Sequence, residues 1–373
     1  MRRLNLLHAA ALLAANVAGG RVIPISSDVS VGTDGGVALS ATGVPPQPSG
    51  CPPFQRGNFN IEAYQLYPEN MDWDAKLCQV YIGILFNASF GVYDPYNEKL
   101  EVISFPGNTL VKEFHVGGVA WDKYTGFATV IVGQGNAFET VGANISGDNI
   151  IKKYDPVKKT FLWSLNITEV AKGEYGGFND ITHDAAGNTY FCGTYPSSIL
   201  KVDPKGTAAV PWYLPETINH TVRGYSGIAS HGDTIITLDS RLGKLFRFDA
   251  TASKGTPTPL PHVPEAEITG GDAIRLPLKF EGKVLLIAEN RRGVSVLRSQ
   301  DASWRTAEYL GLIPMDPSLP SGALTTSVTQ IGEKIYAVTD WFADQIVPGT
   351  VAGNKTSFPM IDITAKIDAL LLG

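Results

Sequence analysis

Two carboxylates, an amide, two hydroxyls and a glycine stand at equivalent points along this chain: Glu69, Asp272, Asn179, Ser226, Thr326 and Gly117. Each is aligned by a turn that leads to a pair of small apolar residues. Gly117-Gly118-Val119-Ala120, Ser226-Gly227-Ile228-Ala229 and Gly271-Asp272-Ala273-Ile274 show the pattern best. Brought together, such side chains can move protons, polarise a carbonyl oxygen, or offer oxygen ligands to a hard cation. Asn70, His115, Asp180 and Tyr225 in the same turns, with Asp239 and Trp341, would add to the cup. Any one Asp or Asn has an ordinary use, bonding its own turn backbone. Six meeting at one point is different, because polar groups buried together without partners are costly unless a ligand or water satisfies them.

The elements that would bring them together are short strands. The six positions are spaced by 48, 62, 47, 46 and 54 residues, and an insertion over residues 133–148 accounts for the longest step. Repeats of this size built from strands and turns predict propeller blades rather than helical solenoids. Runs such as Lys283–Asn290 and Lys334–Asp340 are apolar on consecutive positions, as befits strands covered on both faces. In each copy a second strand is expected to end at Tyr93-Asp94-Pro95, Tyr154-Asp155-Pro156, Val202-Asp203-Pro204 or Phe248-Asp249-Ala250. The ring must close, since open sheet edges invite aggregation. Phe358–Thr364 past the sixth copy and Ile61–Tyr67 before the first should share one blade. The fold expected is all-β: a six-bladed β-propeller over residues 58–373, closed by pairing of its N- and C-terminal strands.

Composition agrees. The chain has 373 residues, 44% hydrophobic, with 39 Gly and 24 Pro, which suits strands joined by tight turns. A net charge of −6 without a basic block argues against nucleic-acid binding. Residues 1–20 read as a signal peptide: Arg2 and Arg3, an apolar run, then Ala18-Gly19-Gly20. An uncleaved anchor is the alternative, and no later stretch is long enough for a membrane span. Residues 21–57 read as a tail or wrapping segment. Asn87, Asn144, Asn166, Asn219 and Asn354 each open a glycosylation sequon, consistent with a secreted or lumenal protein. Of three cysteines, Cys51 and Cys78 are expected to form a disulfide that clips the tail to the first blade, leaving Cys192 free; three buried thiols is the alternative.

Tyr67-Pro68-Glu69-Asn70-Met71-Asp72-Trp73 resembles the Glu-x-x-x-Trp opening of SMP-30/gluconolactonase/regucalcin propellers. Asn179-Asp180-Ile181-Thr182-His183-Asp184-Ala185-Ala186-Gly187 is similar to that family's Asn-Asp-Gly-x-x-Asp-x-x-Gly signature. The resemblance implies Glu69 and Asp272 as ligands of a divalent cation and Asn179 as an amide facing the substrate. The family's metal-binding Asn falls on Ser226, a poorer donor, so at most a weakly held Ca²⁺ is implied. The signal, the Val22–Val29 segment, Cys51-Pro52-Pro53 and the sequon-bearing blades look like secreted fungal propellers of natural-product clusters. Those include the core trichothecene-cluster propeller protein and the hetero-Diels-Alderases of tropolone–sesquiterpenoid pathways. This second resemblance implies cofactor-free ring closure on a polyketide or terpenoid substrate.

Three readings follow. A cyclase would hold two apolar partners near attack geometry, exclude water and polarise a heterodiene oxygen, with Asn179, Tyr225 and Ser226 as donors and Glu69, Asp272 or His115 assisting a dehydration. Asn70, Asp180, Thr326 and Trp341 would line its substrate site, and Trp73, Tyr195 and Phe342 would add apolar walls. A metal-dependent lactonase would use a cation on Glu69 and Asp272 to polarise a carbonyl. A binding propeller would hold a partner without turning it over. No phosphate loop, zinc helix or dinucleotide fingerprint is present.

Overall fold

The structure, a computed structural model, describes residues 50–373; residues 1–20, read above as a signal peptide, and most of the expected tail lie outside the described residues. Six sheets account for the strands of the described residues: four are four-stranded and antiparallel, and two have a fifth strand, which in blade 2 is Phe114–His115. Their inner strands are Pro68–Asp74, Val119–Asp122, Gly176–His183, Tyr225–His231, Gly271–Arg275 and Leu324–Ile331, in blades 1 to 6. Each inner strand touches those of the two neighbouring blades, and blade 6 meets blade 1. Blade 5 gains a short parallel strand, His262–Val263, on its outer edge.

Closure follows the expected route. Phe59–Glu62 is the outermost strand of blade 6, with Phe59 opposite Met360 and Glu62 opposite Ser357. Phe54, just upstream, packs among Phe59, Tyr96 and Tyr336. Cys51 is bonded to Cys78 in the first turn of blade 1; Cys192 is a buried thiol. The core lies between blades, as in the Tyr81, Phe90, Phe105, Val130 and Tyr154 cluster of blades 1 and 2.

One expectation is corrected. The Asp-Pro endings close the third strand of each blade, Ser89–Asp94, Ile150–Asp155, Ser198–Val202 and Lys244–Asp249, not the second. Asp chemistry, rather than the missing Pro donor alone, makes these turns. Asp94 accepts from the backbone of Tyr96 and Asn97, and Asp155 from Val157 and Lys158. Strand alternation fixes two faces. Inner strands begin at the mouth face, where the second-to-third strand loops and the blade-to-blade connections also lie.

Candidate active site at the channel mouth

The inner strands carry a bulge where the registered residues sit. Pairing with the second strand skips Glu69, the Asn179–Asp180 pair, Ser226, the Asp272–Ala273 pair and Thr326. An extra residue in one strand breaks the two-residue alternation and re-aims a side chain. In blade 2, Gly117 precedes the strand, and a Cβ there would lie 3.0 Å from Asn179 Oδ1 and 3.6 Å from Glu69 Oε2. Blades 1, 2 and 3 therefore meet over a missing side chain.

Across the ring, Asn179 Nδ2 donates to the Ser226 carbonyl at 3.0 Å and to Asp272 Oδ1 at 3.4 Å. The Ser226 hydroxyl donates to the Gly271 carbonyl at 3.0 Å. Asn290 Nδ2 reaches Asp272 Oδ2 at 2.7 Å. Deeper in the channel, Asn70 Nδ2 donates to Asp180 Oδ1 at 3.0 Å, and Ser327 Oγ donates to Asn70 Oδ1. Arg275 bonds both Asp180 oxygens and Asn70. This cross-channel plug leaves a separate cavity of about 100 Å³ beyond it, lined by Asp72, Trp121, Lys123, His183, Ser230 and Gln330 among others.

Glu69, Asn179 and Asp272 keep 5%, 7% and 6% of their surface exposed, so the site is nearly closed yet reachable. Burial first, then the charges of Asp272, Asp180 and Asp340, holds the Glu69 carboxyl well above the usual carboxylate range, against the pull of Arg275. Burial raises Asp272 to about 6, countered by hydrogen bonds from Asn290 and Asn179 and by the charge of Arg223. Burial also takes Asp340 to about 8. Glu69 Oε2, Asp340 Oδ2 and Thr326 Oγ1 are buried atoms without a partner among the described residues. Protonated carboxyls are what such a place favours: a neutral acid can donate where a charge would be stranded.

The structure thus gathers Glu69, Asn179, Ser226, Asp272 and Thr326 at the mouth, with Asn70 and Asp180 in the plug below. It does not gather the rest. Tyr225 lies between blades 3 and 4 against Tyr213, Phe246 and Phe248, so its phenol is core and not a donor to the ring. The reason is local: Tyr225 keeps the ladder register opposite Asp239, and only Ser226 is expelled by the bulge. Trp341 is buried beside Phe358 with Lys355 across its face. His115 packs edge-on to Phe86 and over Gly135, and burial lowers it to about 4, leaving it neutral. Of the aromatic walls, Trp73 is core, Tyr195 is buried against Phe138, and Phe342 is exposed on a mouth loop.

Asp340, Arg275 and Asn290 escaped the sequence reading. A periodic signal existed for the first, because Asp239, Glu289 and Asp340 all end second strands. Asp239 is occupied by Arg241 and Leu242 amides, and Glu289 by Thr269, Arg292 and Ser295. Asp340 accepts only the Trp341 amide on Oδ1, and its other oxygen is free.

A divalent cation does not fit this donor set. Both Asp272 oxygens are taken by amide donors, and Ser226 turns its hydroxyl proton to backbone carbonyls. Among the described residues no group of three or more His, Cys, Asp or Glu is arranged to hold a metal, whereas Ca²⁺ takes six to eight oxygens.

No protein-family model matches the chain. Among solved structures, the Malassezia sympodialis allergen Mala s 1 superposes with a TM-score of 0.69 at 18% identity, covering 83% of this chain and 96% of its own. A Xanthomonas campestris gluconolactonase gives 0.51 at 12%, covering 82% and 89%. These likenesses show the fold: a six-bladed propeller. Two curated fungal proteins are closer in sequence. Trichothecene biosynthesis protein 14 of Trichoderma arundinaceum is 33% identical over 338 residues, 86% of this chain and 92% of that one. Core trichothecene cluster protein 14 of Fusarium sporotrichioides is 33% identical over 339 residues, 86% and 88%. On that identity and coverage, the chain belongs to the family of fungal trichothecene-cluster 14 proteins.

Proposed function

We propose that this protein is a cofactor-independent cyclase of fungal secondary metabolism, joining a heterodiene of the o-quinone methide type to an alkene within a terpenoid or polyketide intermediate. The observation that carries the reading is Glu69: a carboxyl biased to its acid form, one oxygen without a partner, 5% exposed at the channel mouth. Its O–H donates to the heterodiene oxygen, and the bond strengthens as that oxygen gains charge. The cycloaddition itself forms one C–C and one C–O bond, breaks no σ bond and transfers no net proton. Asn179 fixes Asp272 and the Ser226 carbonyl, so the cup is rigid before substrate arrives. Exposed Leu110, Phe138, Val141, Ile218, Leu242 and Phe342 lie on mouth-face loops and offer apolar contact to the hydrocarbon parts. Membership of a trichothecene-cluster family supports the biosynthetic setting, and the leading segment with its sequons supports a place in the secretory pathway.

The test is ring closure of the uncyclised intermediate, with and without purified protein. We expect a faster and stereochemically uniform product, unchanged by a chelator. Glu69→Ala should lose about 10²-fold in rate, while Glu69→Gln, which keeps a donor, should lose less; Asn179→Ala should also slow the step. Equal rate and stereochemistry without protein sinks the proposal, and loss of activity on chelation would favour a metal-dependent hydrolase instead.

A further inference from the structure

All five sequons open on the mouth face. Asn87 and Asn354 lie in the second-to-third strand loops of blades 1 and 6, and Asn144 in that of blade 2. Asn166 ends the outer strand of blade 2, and Asn219 lies in the connection from blade 3 to blade 4. The turns of the opposite face carry none.

Local geometry separates four of them from the fifth. Asn144, Asn166, Asn219 and Asn354 are exposed. Asn144 Oδ1 accepts from the backbone and hydroxyl of Ser146, and Asn219 Oδ1 does the same with Thr221. Asn166 Oδ1 accepts from the Thr168 backbone, while its Nδ2 reaches Asp148 at the surface. In these Asx turns the carbonyl oxygen is engaged by the turn itself, and the one bond made by a sequon amide nitrogen, Asn166 Nδ2 to Asp148, lies at the exposed surface. Asn87 is inverted: its Nδ2 donates inward to the Gln65 carbonyl, its Oδ1 is buried, and Ser89 is only 2% exposed. A sugar on Asn87 would break that bond and push into the loop.

We infer that N-linked glycans on Asn144, Asn166, Asn219 and Asn354, and not on Asn87, fence the mouth face, leaving it open to small molecules and closed to protein partners. The modification is transfer from a lipid-linked diphospho-oligosaccharide: Asn Nδ2 bonds to the anomeric carbon, the bond to the diphosphate breaks, and one proton leaves the amide. A bulky hydrated chain at four points around the rim bars a flat protein surface while a metabolite passes between. Any protein partner is confined to the sequon-free face.

The experiment uses the full chain secreted from a filamentous fungus. Glycopeptide mass spectrometry should find the four exposed sites occupied and Asn87 bare. The folded protein is then trimmed to single sugars with an endoglycosidase and exposed to trypsin as the macromolecular probe. Lys172 and Arg223, exposed beside Asn166 and Asn219, should be cut about tenfold faster after trimming, while exposed Lys205 and Lys254 on the opposite face should not change. Bare asparagines at the four sites, or equal cleavage at Lys172 and Arg223 before and after trimming, would overturn the inference.

Discussion

A carboxyl that stays protonated inside a protein makes stability depend on pH in a particular direction. Asp340 is raised by burial to about 8 from 3.8, so between those values the folded state binds a proton that the unfolded chain has released. Its contribution is intact below about pH 4 and is lost as pH climbs through 8. Asp272, raised to about 6, and Glu69 act in the same sense. Asp340→Asn keeps an oxygen for the Trp341 amide and carries no charge at any pH. The variant should match wild type near pH 4 and become the more stable of the two at pH 8, by roughly 5 kcal/mol. Melting temperatures of both proteins across pH 4–8 decide it; a constant difference would mean that Asp340 is ionised in the folded protein. The residue types at the mouth were legible from their spacing alone. Their satisfaction was not, because whether a second-strand carboxylate has a spare oxygen depends on partners such as the Thr269 amide and the Ser295 hydroxyl on Glu289, which the fold brings near, and on their lack at Asp340 Oδ2 among the described residues.

At the scale of elements, the inner strands crowd one axis, and glycine is required where their backbones touch. A Cβ on Gly118 would stand 2.0 Å from the Asn179 carbonyl oxygen, and one on Gly227 2.6 Å from that of Asp272. Backbone cannot yield as a flexible side chain would, so Gly118→Ala should move the bulge that aims Asn179. We expect a loss of ~2–3 kcal/mol in chemical denaturation together with loss of ring-closing activity; retention of both would show that the bulge does not position the site. These small-apolar turns were readable as repeats, and they gave the blade count. The bulges were not, since a sequence read with period two places Tyr225 and Ser226 on opposite faces without saying which one leaves the ladder. That ambiguity misassigned Tyr225 to the mouth. It also misplaced the Asp-Pro turns, because a third strand obeys the same alternation as a second.

For the molecule as a whole, the site exists only while the ring is shut, since Glu69 and Asp340 belong to the first and last blades. Closure rests on four paired residues, Phe59–Glu62 against Ser357–Asp362, and on the segment before them. That segment is held by Cys51–Cys78 and by Tyr96 and Tyr336 hydroxyls donating to the Pro52 and Arg56 carbonyls. The crosslink spans 27 residues, worth ~3 kcal/mol if it acts by restricting the unfolded chain. Two changes separate anchoring from closure. Cys78→Ser, made with Cys51→Ser, should lower the melting temperature yet leave a shut ring and an active mouth. Removing residues through Glu62 should strip blade 6 of its outer strand, expose the Ser357–Asp362 edge and drive association between molecules. Sedimentation of the two proteins distinguishes them: monomer for the disulfide variant, higher species for the shortened chain. A monomeric, active chain lacking Phe59–Glu62 would show that packing between blades 6 and 1 holds Glu69 and Asp340 in place without the shared strand.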